Sequence, residues 1–155
     1  DETIQTYGEH WIDPYWANDG DRFRFHPAHA NNAYIEVQCE SHIYPNSKFV
    51  TEKSSKPFMG LQFPFFFAQP NYYQYFRDWG FDMFDDIIDH SYDSEEDPLI
   101  RMKLIFKQLE LIKNNPDVIK DFYVMFKDRF INNNKIVCEI INKKNDLDYI
   151  KNIFI

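Results

Sequence analysis

An α/β fold with parallel strands and a helical C-terminus is what the sequence predicts, and three observations predict it. Ala33-Tyr34-Ile35-Glu36-Val37-Gln38-Cys39 alternates, with Ala33, Ile35, Val37 and Cys39 on one side, as a strand requires. Pro64-Phe65-Phe66-Phe67-Ala68 is a continuous apolar run, the pattern of a strand covered on both faces. Helix-start signals stand between and after these segments, so strand, helix, strand and helix follow in order.

The first 32 residues are irregular and rich in aromatics, with Trp11, Tyr15, Trp16, Phe23 and Phe25 among Asp, Asn and His. Strand 33–39 ends at Glu40, and the polar stretch 41–48, with Pro45-Asn46-Ser47, reads as a loop. Thr51 is placed as the N-cap of a helix running to about Leu61, which Pro57 kinks. After the apolar strand, Asn71–Trp79 reads as a helix with Tyr72, Tyr75, Phe76 and Trp79 on one face, stopped by Gly80. Phe81–Phe84 reads as a short strand. Asp97-Pro98 pairs an N-cap with proline at the first helical position. That helix extends to about Lys113, with Met102, Ile105, Phe106, Leu109 and Ile112 as its apolar stripe. Asn115-Pro116 repeats the signal ahead of Val118, Phe122, Met125 and Phe126, and 133–155 has weaker helical periodicity. The chain divides into an irregular segment 1–32, an α/β lobe 33–113 and C-terminal helices 114–155. Three strands are thin for a doubly wound domain, so the chain reads as half of one, with an open sheet edge awaiting a missing lobe or a partner chain.

Composition narrows the classes. In 155 residues, 19% are aromatic, which excludes a disordered chain, because that much apolar surface has to be buried. No apolar run is long enough to span a bilayer, and no basic and apolar leader opens the chain, so a cytoplasmic location is expected. Net charge is -8, and all of that excess sits at Asp82, Asp85, Asp86, Asp89, Asp93, Glu95, Glu96 and Asp97. No dense basic patch offers a nucleic-acid surface. Cys39 and Cys138 fit no metal or redox spacing and, lying among apolar residues, read as buried free thiols.

Candidate chemistry starts at the end of the first strand. In open α/β sheets ligands bind beyond the carboxyl ends of the strands, and a helix N-terminus favours a phosphate. Glu40 ends that strand, and Thr51-Glu52-Lys53 opens the next element. Lys53 could meet a diphosphate, while Glu40 and Glu52 could accept hydrogen bonds from sugar or ribose hydroxyls. The alternative is that Thr51 only caps and Glu52 only complements the helix dipole. Other constellations fall short. His26-Pro27-Ala28-His29 lacks the convergent third and fourth ligands of a metal site. Asp19-Gly20-Asp21 follows no buried strand, and the acidic run lacks the glycine and distal glutamate of a calcium loop. No metal or cofactor is expected.

Phe49-Val50-Thr51-Glu52-Lys53 is similar to the Tyr-Ile/Val-Thr-Glu-Lys signature of the α1,3-fucosyltransferase family and its bacterial and viral relatives. Gln38-Cys39-Glu40-Ser41 resembles the family's Phe-Glu-Asn-Ser at the end of the preceding strand. Pro64–Ala68, Pro70, Tyr72 or Tyr73, and Phe81-Asp82-Met83-Phe84-Asp85-Asp86 follow in the family's order. The resemblance covers residues 33–112. It implies a partial Rossmann-like sheet, the C-terminal lobe of a GT-B glycosyltransferase. That lobe would bind a nucleotide sugar, GDP-linked in the family, for transfer to a carbohydrate or other acceptor. Donor binding would fall to Glu40, Thr51, Glu52, Lys53 and Tyr72. Ser41 replaces the family's Asn, Ser54-Ser55-Lys56-Pro57 departs from its aromatic continuation, and the family's general base belongs to an N-terminal lobe. A competing expectation is a non-enzymatic α/β module that meets a basic partner through its acidic 82–97 face.

Overall fold

The computed structural model describes residues 32–45 and 50–142. Within them the elements are β1 (Ile35–Cys39), a 3-10 turn (Glu52–Ser55), α1 (Lys56–Met59), β2 (Phe63–Phe67) and α2 (Tyr72–Asp78). A second 3-10 turn (Ser91–Ser94) precedes α3 (Pro98–Asn114), α4 (Pro116–Met125) and α5 (Lys127–Asn142). β1 and β2 pair in parallel, with Ile35 opposite Phe63 and Cys39 opposite Phe67. The fold is therefore mixed α/β, with a two-stranded parallel sheet among the described residues.

β2 is the centre of the core. Phe63, Phe65 and Phe66 are fully buried, because helices or loops cover both of its faces. Phe66 packs on Phe58 of α1 and on Tyr72 and Phe76 of α2. On the other face Phe63 meets Phe84 and Phe130 edge-on, and Phe65 stacks on Tyr92. β1 is less covered: Val37 is 44% exposed, and Cys39 is exposed too. Both cysteines are exposed, which corrects the expectation of buried thiols. The apolar neighbours of Cys39 lie on an edge strand, and Cys138 lies on the outer side of α5.

Other departures have physical causes. Phe81–Phe84 is not a strand. Asn133 of α5 takes the place of a strand partner, accepting from the Asp82 N–H at 2.8 Å and donating to the Asp82 carbonyl at 2.7 Å. Arg129 then clamps the Asp82 and Asp86 carboxylates and lies over the Phe84 and Phe126 rings. This holds Phe84 at φ 59°, a conformation a strand cannot contain. The expected helix after Thr51 is two short pieces, because Pro57 admits only one α-turn around it. In α3 the buried residues are Arg101 and Ile105, whereas Phe106 is 60% exposed, so the core stripe is rotated from the one expected. The Asp97 cap, with Pro98 behind it, forms as read: the Asp97 carboxylate accepts from Leu99 and Ile100. Gly80 ends α2 at φ +86°, where a side chain would be strained.

Candidate functional site

The carboxyl end of β1 carries a buried acid. Glu40 continues the ladder, its N–H bonding the Phe67 carbonyl at 2.9 Å, and it is 5% exposed. A buried carboxylate needs donors. Thr51 supplies its hydroxyl, 2.7 Å from Oε2 and 2.9 Å from Oε1, and its N–H at 3.3 Å. Ser54 Oγ and Tyr72 Oη lie 2.6 and 2.8 Å from Oε1 and 2.8 Å from each other. Those three oxygens form a triangle that shares two hydroxyl protons. Burial first, then the Glu40 charge, hold the Tyr72 phenol far above its ordinary pKa, so it stays protonated and donates.

Of the expected site residues, Glu40, Thr51 and Tyr72 are thus brought together. Thr51 also caps the 3-10 turn, accepting from the Lys53 N–H at 3.3 Å. Capping and bonding to Glu40 are not alternatives, because the hydroxyl donates one way while its lone pair accepts the other. Lys53 stands half-buried in the turn, and among the described residues no carboxylate pairs with its ammonium. Glu52 opens the turn, and its side chain lies outside the described part. A helix dipole contributes little here, since a one-turn helix aligns few peptide units.

An apolar cleft adjoins the cluster. Thr51 and Ser54 form one side, and Phe58, Phe76, Trp79 and Phe81 line the wall. Among the described residues no charged side chain lines it, so it suits an uncharged group.

A second polar network also starts at the N-terminus of α2. Asn71, which precedes the helix, is left-handed and makes no side-chain cap. Asp93 replaces it from a distance: its carboxylate accepts from the Tyr72 and Tyr73 N–H groups at 3.0 and 3.1 Å, and its carbonyl accepts from the Asn71 N–H at 2.7 Å. Burial pushes the Asp93 carboxyl up to about 6, despite those two N–H bonds. Tyr73 Oη accepts the Phe66 N–H at 2.8 Å and lies 3.2 Å from the Pro64 carbonyl, closing the outer edge of β2. Tyr73 and Tyr92 hydroxyls are 2.6 Å apart, and Tyr92 Oη is 3.0 Å from His90 Nδ1. His90 Nε2 faces the Met83 carbonyl at 2.8 Å. A carbonyl only accepts, so Nε2 holds the proton and Nδ1 accepts from Tyr92, which accepts from Tyr73. Burial lowers the His90 pKa to about 4, keeping the ring neutral as this chain of donors requires.

Sequence reading gave His90 and Arg101 no role, placed Asp93 only in the acidic run, and named Tyr73 only as the alternative to Tyr72. Arg101 is buried and donates to the Glu95 and Ile43 carbonyls, bracing the loop beyond β1. The signal was there: a charged residue four positions before Ile105, on a stripe that otherwise faces the core. Much of the acidic run is paired within the chain, Asp82 and Asp86 with Arg129, Asp85 with Arg77, Asp93 and Asp97 on backbone N–H groups, although Asp85, Asp86, Asp89, Glu96 and Asp97 remain exposed and only Asp93 is buried.

His26, His29 and Asp19-Gly20-Asp21 lie outside the described residues, as do the N-terminal tryptophans. Among the described residues no group of three or more His, Cys, Asp or Glu could hold a metal ion, and no helix is long and apolar enough to cross a membrane. Comparison of the chain with protein-family models, curated proteins and solved structures finds no match.

Proposed function

We propose that the chain is the donor-binding lobe of a glycosyltransferase, holding a nucleotide-diphosphate sugar at the carboxyl end of a Rossmann-like sheet of the GT-B type. One observation carries this reading. Glu40, Thr51 and Tyr72, far apart in sequence, meet in one hydrogen-bonded cluster beyond a parallel strand, with Lys53, unpaired among the described residues, two residues past the cap. Lys53 provides charge for the diphosphate, which in transfer becomes the leaving group and needs stabilisation as charge develops. Glu52 is assigned to ribose or sugar hydroxyls. Glu40, already engaged by three hydroxyls, holds Thr51 and hence the turn in place. The base that deprotonates the acceptor hydroxyl comes from another lobe. Pairing of Asp82, Asp85 and Asp86 with Arg129 and Arg77 neutralises part of the acidic run, which weakens the case for an acidic docking face.

Calorimetric titration with GDP and GDP-sugars tests it. Lys53→Ala should lose about ten- to a hundredfold in affinity, the loss of one charge-assisted contact. Glu52→Gln should weaken sugar nucleotides more than free diphosphate. Unchanged affinity in Lys53→Ala, or no nucleotide binding by the parent protein, overturns the proposal.

A further inference from the structure

The two edges of the sheet are treated differently. β2's outer edge has Pro64, which lacks an N–H, and Phe66, whose N–H is taken by Tyr73 Oη. β1's outer edge has neither device. Phe63 N–H bonds the Tyr34 carbonyl at 2.8 Å and Glu40 N–H bonds the Phe67 carbonyl, so residues 34, 36, 38 and 40 direct their backbone groups at β2. By the alternation of a strand, the N–H and C=O groups of Ile35, Val37 and Cys39 point the other way. Among the described residues no strand pairs with them. The segment contains no Pro or Lys, and Val37 and Cys39 are exposed. Such an edge is a template for another strand.

We propose that this edge is a homodimer interface, in which β1 of a second copy of the chain pairs antiparallel across a two-fold axis at Val37. The strand is self-complementary in that register. Val37 faces its own counterpart as a hydrogen-bonded pair, and Ile35 faces Cys39 on either side, so all three outward residues find partners. Their side chains form one apolar row across the joint. On the opposite face Glu36 meets Gln38, so no carboxylate opposes a carboxylate directly. Centring on residue 36 would set Glu36 against itself, and centring on residue 38 would leave Ile35 unpaired. The result is one continuous sheet, β2-β1-β1-β2, closed at each end by Tyr73. This inference does not depend on which ligand binds near Lys53.

Sedimentation velocity across a concentration series tests the proposal. The parent should show a monomer–dimer equilibrium. Val37→Pro removes an N–H that points away from β2, so the β1–β2 ladder keeps its bonds while dimerisation weakens at least tenfold. Val37→Lys, which keeps the backbone intact, should do the same. In a Cys39→Ser background, Val37→Cys should cross-link efficiently through a short bis-maleimide, because the two Cβ atoms of a directly opposed pair sit within about 5.5 Å of each other. Cys39 alone should not cross-link to itself, because it faces Ile35. A parent that stays monomeric at hundreds of micromolar overturns the proposal, as does a dimer indifferent to both Val37 variants. So does slow amide exchange at Ile35, Val37 and Cys39 in a monomer, which would show the edge covered from within the chain.

Discussion

Tyr72 and Tyr73 are neighbours in the chain, and Asp93 holds both of their N–H groups, yet their hydroxyls serve different strands of the sheet. Tyr72 reaches Glu40 beyond β1, in a cluster whose Thr51 and Ser54 line a cleft and whose 3-10 turn carries Lys53, unpaired among the described residues. Tyr73 reaches the edge of β2 and passes a chain of hydrogen bonds to Tyr92 and His90, all buried. The first network ends at groups a ligand could meet, whereas the second ends at a backbone carbonyl. One helix start thus sets up a half-open site and a sealed edge, and Asp93 couples them.

The largest predicted effects are pH-dependent and set two members of the second network, His90 and Asp93, against each other. His90 is held at about 4 against an ordinary 6.5, so between those values the unfolded chain binds a proton the folded chain refuses. Its contribution is complete above pH 6.5 and is lost as pH falls to 4. Asp93 is held at about 6 against 3.8, so the folded chain keeps a proton the unfolded chain has released. Its contribution is complete below pH 3.8 and is lost as pH rises through 6. Each amounts to about 3 kcal/mol, with opposite slopes that offset each other in the parent. Urea unfolding between pH 4 and 7 should therefore give a nearly flat profile for the parent. Asp93→Asn should rise with pH, and His90→Gln should fall. Slopes of one sign in both variants would show that the two groups do not oppose each other.

The tyrosines sharpen the comparison at a smaller scale. Tyr73→Phe leaves the Phe66 N–H buried without a partner and should cost about 2 kcal/mol, since an orphaned buried donor bears its full desolvation penalty. Tyr72→Phe should cost about 1 kcal/mol, because Glu40 keeps its donors from Thr51 and Ser54. Urea midpoints at pH 7 check the ranking. Equal losses would mean that Tyr73 does not seal the edge.

How legible this was depended on whether a residue's partner is local. The Asp97-Pro98 start, the Gly80 stop and the Thr51 cap were readable because each satisfies backbone groups within a few residues. The parallel pair was readable because burial on both faces leaves an all-apolar strand. Phe81–Phe84 misled, since its short apolar pattern suits a strand while Asn133, 51 residues on, takes the pairing role. Likewise nothing near Asp93 in sequence says that it caps a helix 20 residues earlier. The convergence of Glu40 with Tyr72 came from family order rather than from spacing.

The smallest stability effect falls on the ligand side, where affinity should move most. Thr51→Ala removes a cap and a donor to Glu40 and should cost about 1 kcal/mol. Lys53 has no partner among the described residues, so Lys53→Ala should stay within about 0.5 kcal/mol of the parent. For a nucleotide ligand the order should reverse, with Lys53→Ala losing more than Thr51→Ala, because an ammonium would meet a diphosphate while the Thr51 hydroxyl is already engaged by Glu40 and the Lys53 N–H. The same two variants, measured by urea unfolding and by calorimetry, separate a residue that shapes the site from one that faces the ligand. A large stability loss in Lys53→Ala would place the lysine in the framework, and its assignment to the diphosphate would fall with it.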